Sequence, residues 1–451
     1  MELELEFCDE QITPWGGLGL VRQMLDHLQL PQMLKQAGLP PQGSGHGYPP
    51  EQLVMQFLLS IWCGGNRFAH AEITRFDPVL GQLFGLQKMA NFKAITRLLD
   101  KFDQQRNDEV FGFIYRWLFG QLQLDNLTLD LDSTVMTRYG RMEGAAKGYN
   151  PGKPGRLSHH PLMAFVDDTR MMANLWLRSG NSVSANNAQA FLASTLEHLG
   201  GKKVGLVRAD SGFCERAFLS ELEERDLPYI VALKLNQPLQ RALASAQGWW
   251  QLDEGIQLCS FEYQSAAWDK PRRVIGIRQH MALKSHAKGK QLSLFADDKT
   301  HKHWRYAALV TDLSLPAQEV WRSYRGRADC ENRIKELKHD FGADSFCMHN
   351  FWGTEAALQL VMLAFNLMSL FKQVVLRSTV TRAGKQNPIQ HTLSTLRQQL
   401  FAKAGRITQE KSRQVIKLAM AMQPRQWFEG IWHRARAFEI PINFAHHFST
   451  V

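Results

Sequence analysis

"LTLDLDST", residues 127–134, alternates apolar and polar side chains along its first six positions. A repeat of two belongs to a β-strand and not to a helix. Leu127, Leu129 and Leu131 share one face, and Thr128, Asp130 and Asp132 share the other, with Asp132 at the C-terminal end. Downstream, "HPLMAFVDD" (160–168) and "MMANLWLRS" (171–179) read as a hairpin split by a short turn. "SANNAQAFLASTLEHL" (184–199) reads as a helix, "KVGLVRAD" (203–210) as a buried strand, "CERAFLSELEERD" (214–226) as a helix and "PYIVALK" (228–234) as a strand. Three strands, helix, strand, helix, strand is the pattern of an α/β layer.

The flanks read differently. Residues 1–125 are expected to be helical, interrupted by the Pro/Gly linker "GLPPQGSGHGYPP" (38–50). Within "FDPVLGQLFGLQKMANFKAITRLLDKF" (76–102), helix, turn and helix follow one another. The second helix carries an apolar stripe of Phe92, Ile95, Leu99 and Phe102, with Lys93, Arg97 and Lys101 off it. Such a helix can enter a DNA groove, and it can equally be an ordinary surface helix. Residues 235–320 are rich in strand signals, in "IQLCSFEYQSA", "RRVIGIRQH" and "WRYAALVTD", interrupted by a polar loop. Helical sequence is expected from there to the C-terminus. The apolar run "ALQLVMLAFNLMSLF" (357–371) contains Gln359, Asn366 and Ser369 and reads as a buried helix, so no membrane partner is expected.

The segment "YRGRADCENRIKELKHDFG" (324–342) crowds both signs of charge onto one predicted helix. Tyr324, Arg327, Glu331 and Lys338 follow at spacings that share a face. Cys330, Ile334, Leu337 and Phe341 make a neighbouring apolar seam. Glu331 therefore stands at a core boundary among cations, as a structural ion pair or as a metal ligand beside phosphate-binding groups. Two more carboxylates favour the second reading. Asp132 and Asp210 each stand at the end of a predicted strand, where α/β sheets form ligand sites. Asp210 before "SGFCE" also suits a helix cap. Hard carboxylate oxygens in a basic chain fit Mg²⁺ and phosphoryl transfer.

These residues resemble the DDE transposases of bacterial insertion sequences. Tyr324, Arg327, Glu331 and Lys338 have the complete Tyr-Arg-Glu-Lys spacing, and "LDLDST" and "VRADSGF" look like the segments bearing that family's two aspartates. "EGAAKGYNPGKPGRLSHHPLMAF" (143–165) looks like one branch of these proteins. The resemblance implies an RNase H-like catalytic core with an inserted β-rich domain, flanked by mostly helical N- and C-terminal regions. It implies that Asp132, Asp210 and Glu331 bind two Mg²⁺ ions, with Mn²⁺ able to substitute, and that Tyr324, Arg327 and Lys338 contact DNA phosphates. The expected partition is a DNA-binding region at 1–125, core at 126–234, insertion at 235–320, core again at 321–375 and a helical region at 376–451. Element ends and target DNA are the expected partners, bound by a homodimer in the bacterial cytoplasm at the nucleoid. Asp130 shares the strand face and remains an alternative to Asp132, which the more open strand end favours. An insertion tryptophan could stack on a flipped base; Trp249, Trp250, Trp268 and Trp304 are the candidates. A DNA-binding regulator without cleavage, and a nuclease without strand transfer, are the alternative functions.

Composition agrees with a polyanion partner. Lys and Arg number 53 against 43 Asp and Glu, a net charge of +10. The Gly-rich loop 138–156 carries Arg138, Arg141, Lys147, Lys153 and Arg156 against the single acid Glu143, and could lie along a DNA backbone. Six scattered cysteines without a CxxC pair point to a reducing compartment. The acidic start "MELELEFCDE" is no signal peptide. "HKH" (301–303), "SHHP" (158–161) and "AHHF" (445–448) lack a matching ligand set for zinc. "WGGLGLVRQ" lacks the third glycine of a dinucleotide loop, and no GxxxxGK[ST] occurs.

Overall fold

The computed structural model describes residues 9–280, 304–376, 390–422 and 424–444, with 3, 5 and 7 besides. Cys8, the "HKH" and "AHHF" histidines and the whole polar loop before Trp304 lie outside the described residues. The predicted strand at 127–134 is β1 (Leu127–Ser133). The hairpin is β2 (Leu162–Val166) and β3 (Met171–Trp176), followed by β4 (Val204–Ala209) and β5 (Tyr229–Ala232). Strands β6 (Trp250–Asp253), β7 (Ile256–Tyr263), β8 (Arg272–His280) and β9 (Trp304–Thr311) come from the strand-rich stretch. All nine form one sheet in the order β6-β7-β8-β9-β5-β4-β1-β2-β3. Strands β1, β4 and β5 run parallel, and β2 is antiparallel to β1 and β3. The first five strands thus take the order 3-2-1-4-5 of an RNase H-like core. Among the described residues the strands of 250–311 build no sheet of their own: β9 pairs antiparallel with β5, Val310 opposite Val231, and continues the sheet outward.

The longer N-terminal helices are α1 (Gly19–His27), α2 (Pro50–Trp62), α3 (Phe92–Leu99) and α4 (Gln104–Gly120). Between the sheet strands lie α5 (Ala188–His198), α6 (Arg216–Glu224) and α7 (Gln237–Ser245). Beyond β9 come α8 (Ala317–Arg325), α9 (Ala328–His339) and α10 (Phe351–Leu370), then α11 (Arg425–Ala437). With its continuation to Leu376, α10 is long and apolar enough to cross a membrane, but it lies buried within the fold.

The polar residues of α10 have a specific task. β3 is an edge strand, and its unpaired backbone groups need partners. Asn366 accepts from Met172 N–H (2.7 Å) and donates to Met172 C=O (2.8 Å). Gln359 donates to Leu175 C=O (2.7 Å), and Glu355 accepts from Leu177 N–H (3.0 Å). Spaced four and seven apart, these side chains share one helix face and close the sheet edge. Burial pushes the Glu355 carboxyl up to about 8, so it sits there neutral.

Two expectations need correction. The C-terminal region is not wholly helical: β10 (Gly405–Glu410) and β11 (Arg413–Leu418) form a hairpin. Ile407, Thr408, Val415 and Ile416 are β-branched, and Lys411 takes a left-handed φ of 55° in the two-residue turn. The charged segment 324–342 is likewise not one helix but α8 and α9 meeting at Gly326–Arg327. In an unbroken α-helix, Ser323 C=O would accept from Arg327 N–H. Here Arg208 reaches over from β4 and donates to Ser323 C=O (2.6 Å), while Arg327 N–H bonds Tyr324 C=O (3.0 Å). Gly326 permits this approach, since a Cβ there would stand 2.6 Å from Arg208 Nη1.

Candidate active site

The parallel register of β1 and β4 sets Leu131 opposite Ala209. Asp132, still paired with Met163 near the end of β1, and Asp210, just past the end of β4, come next, so they stand side by side on strands about 4.8 Å apart. Asp132 is 6 % exposed. Its Oδ1 accepts from Ser133 N–H (2.7 Å), and its Oδ2 receives Arg327 Nη2 (2.8 Å). Burial pushes its carboxyl up to about 6; Arg327 opposes that rise, and the neighbouring charges of Asp210 and Glu331 add to it. Asp210 is half-buried and accepts from Gly212 N–H (3.0 Å), capping a short turn as its sequence context suggested.

The α8–α9 break aims the remaining groups. Tyr324, half-buried, donates to Ala209 C=O (3.4 Å), beside Asp210. Burial raises its phenol pKa, and Asp210 and Asp132 add to the effect against Arg327. Arg327 is buried on Asp132, with Nε lacking a hydrogen-bond partner. Glu331 is exposed in the first turn of α9, one residue beyond Cys330, whose Sγ lies 3.7 Å from Asp132 Oδ2. Lys338 donates to Thr134 Oγ1 (2.6 Å) and Val135 C=O (2.9 Å), holding the chain that leaves β1. Neither cation pairs with Glu331, so the segment is not a ladder of ion pairs along one helix.

Three carboxylates whose charges meet at Asp132 have the donor chemistry for a hard divalent cation. Among the described residues no three such side chains stand close enough to hold an ion as a group. Positive charge at Asp132 comes instead from Arg327.

Asp130 has a different environment. It is fully buried, and Arg208 grips both of its oxygens at 2.6 and 2.8 Å. Arg208 also bonds Asp167 (2.8 Å), Arg333 joins Asp167 (2.7 Å) to Asp329 (2.9 Å), and Arg170 completes the chain on Asp329 (2.9 Å). The sequence reading missed this network, though "GLVRAD" carried its signal. An arginine inside an apolar strand requires a buried acid partner.

The other candidates lie elsewhere. Lys93 and Arg97 are exposed on α3, opposite buried Ile95, Leu98 and Leu99; the helix ends at Leu99, short of Phe102. Trp268 is nearly buried under Arg272, Trp249 and Trp304 both stack on Arg278 (4.4 and 4.7 Å to the ring centroids), and Trp250 is exposed. In the loop 138–156, Arg138 does not face outward: it is buried, donating to Asp344 C=O (2.5 Å) and His159 Nδ1 (2.9 Å). His159 then donates through Nε2 to Glu143 C=O (2.9 Å), and burial pushes its pKa down to about 4. His160 bonds Ser182 C=O (2.7 Å), so the "SHHP" histidines serve the fold.

Residues 1–439 match a family model described as transposase DDE domain group 1. No curated protein matches the sequence. Among solved structures, a cryo-EM structure of a piggyBac transposase synaptic complex with hairpin DNA is similar at 12% identity and a TM-score of 0.44. The similarity covers 86% of this chain and 79% of that one.

Proposed function

We infer that this chain, which belongs to the family of group 1 DDE transposase domains, binds the inverted ends of a mobile DNA element, cuts one strand at each end and joins the freed 3′-OH to target DNA. The observation that carries this reading is that Asp132 and Asp210 stand side by side at the C-terminal ends of adjacent parallel strands, with the charge of Glu331 bearing on the Asp132 carboxyl. Asp132, Asp210 and Glu331 are the residues proposed to hold two Mg²⁺ ions, or Mn²⁺ in their place. Bound there, the metal would lower the cost of charge on the attacking and leaving oxygens. Arg327 holds Asp132 in place and favours its ionised form. With Tyr324 and Lys338 it is proposed to take the DNA phosphate once Asp132 no longer engages it. Two ends cut together call for two copies of the chain on DNA.

Supercoiled plasmid carrying the element ends, incubated with Mg²⁺, tests the function. Cutting with joining is the expected result. Cutting without joining would make the protein a nuclease, and binding without cutting a regulator.

End recognition is assigned to the N-terminal helices, with Lys93 and Arg97 reaching phosphates from α3. Replacing both by Ala should weaken binding to end DNA and reduce the log–log salt slope by about two units, one per lost phosphate contact. Lys338→Ala should lower strand cleavage about tenfold to a thousandfold, well beyond the modest drop in melting temperature expected from losing its bonds to Thr134 and Val135. An unchanged slope in the first variant would make α3 a purely structural helix, and normal cleavage in the second would confine Lys338 to holding Thr134.

A further inference from the structure

The chain leaving β1 beyond Asp132 forms a flap over residues 138–156, and its two faces are unlike. The inner face is fixed. The strand Met136–Thr137 pairs with Leu157–His159, which in turn pairs with Ala146–Lys147. Asn150 donates to Thr137 Oγ1 (3.0 Å) and accepts from Lys153 N–H (3.0 Å). Gly148 presses backbone to backbone on Gly180, where any Cβ would collide with the carbonyl. Glu143, the flap's one acid, accepts from Phe351 N–H (2.8 Å) at the start of α10.

Apart from Glu143, which is exposed but held on α10, the charge exposed on the flap is positive, and two aromatic rings are exposed with it. Arg141, Lys147, Lys153 and Arg156 are exposed. Tyr139 and Tyr149 are 61 % and 74 % exposed, whereas most large apolar side chains of this fold are buried. Lys153 lies over the Tyr139 ring, 5.0 Å from its centroid, and donates to its hydroxyl, which orients the ring. Cations alone would serve duplex DNA, whose phosphates are outside and whose base faces are hidden by stacking. Exposed rings on a rigid support gain contact only from bases that are unpaired.

We propose that the outer face of residues 138–156 binds single-stranded DNA, with Tyr139 and Tyr149 stacking on unpaired bases and the four cations on the phosphates between them. This rests on the transposase reading, in which strands part beside Asp132, and adds that the parted strand is received by the flap. The flap is well placed to do so, because Lys338 ties its root at Thr134 and Val135 to the helix that bears Glu331.

The test uses the full chain in EDTA, so that no strand is cut. A labelled oligodeoxynucleotide of about 20 nucleotides, within reach of single-strand site sizes, is titrated by fluorescence anisotropy alone and as a duplex with its complement. The Tyr139→Ala/Tyr149→Ala variant should lose about thirtyfold or more in single-strand affinity, as two lost stacking contacts predict, and hold its duplex affinity. The Tyr139→Phe/Tyr149→Phe variant should bind as the wild type does, since the phenyl face still stacks. Both rings are exposed, so the melting temperature should stay put. No single-strand binding by the wild type, equal losses for single strand and duplex, or no loss at all would each overturn the proposal. Plasmid cutting by the wild type is scored separately. If it persists while the flap result fails, only the flap's role falls.

Discussion

Asp132→Asn, Asp210→Asn and Glu331→Gln should each lose strand cleavage by about a thousandfold or more while still binding end DNA. Amides are chosen because the local geometry demands it. Removing the Asp132 side chain outright would strip Ser133 N–H of its acceptor and leave Arg327 buried without a counter-charge. An asparagine keeps the volume and the acceptor for Ser133 N–H, while it removes the charge and the oxygen that Arg327 engages. Asp210→Asn likewise keeps the cap on Gly212 N–H. Glu331 is exposed, so its replacement should hardly touch stability. Calorimetric titration of Mn²⁺ into each variant without DNA gives a second reading. The wild type should bind Mn²⁺, and each amide should weaken that binding markedly. A variant that cleaves near the wild-type rate would remove that residue from the proposed set. One that binds Mn²⁺ normally but does not cleave would make the residue a contact to DNA.

The local part of this arrangement was legible. Alternation in 127–134 and compact apolar runs at 203–210 and 228–234 place strands where β1, β4 and β5 stand, because a strand's burial pattern is written in its own residues. Asp132, Asp210 and Glu331 stood out for the same reason, as acids at element ends and seams. What sequence could not show depends on distant partners. The helix break at Gly326 is made by an arginine 115 residues away from the carbonyl it captures. The strands of 250–311 extend the core sheet because β9 finds β5, a pairing absent from either strand's own pattern. Gln359 and Asn366 looked only like blemishes in an apolar helix, since the edge of β3 that they close lies elsewhere in the chain. The hairpin 405–418 was different. Its β-branched residues were visible, and the charged residues among them masked the alternation.

Asp130→Ala and Arg208→Ala should each cost about 3–5 kcal/mol in folding stability, read from the urea midpoint, because the first strips buried Arg208 of its two-oxygen partner and leaves it only Asp167, and the second leaves Asp130 buried without a cation. Both side chains lie almost wholly out of solvent. The pair should be strongly coupled: the double variant should cost less than the sum of the singles, by about 0.5–3 kcal/mol. The two singles should then part in function. Asp130→Ala should bind Mn²⁺ like the wild type, because Asp130 is sealed behind Arg208 and offers no free oxygen. Arg208→Ala should lose cleavage well beyond what its stability explains. Without Arg208, Ser323 C=O regains Arg327 N–H as its helical donor, α8 and α9 can straighten, and the guanidinium of Arg327 is drawn off Asp132. The rival assignment makes Asp130 the first metal ligand. It demands the opposite pattern, in which Asp130→Ala folds as stably as the wild type and fails to bind Mn²⁺. That result would return Asp132 to a structural role beside Arg327 and overturn the geometry argued for the site.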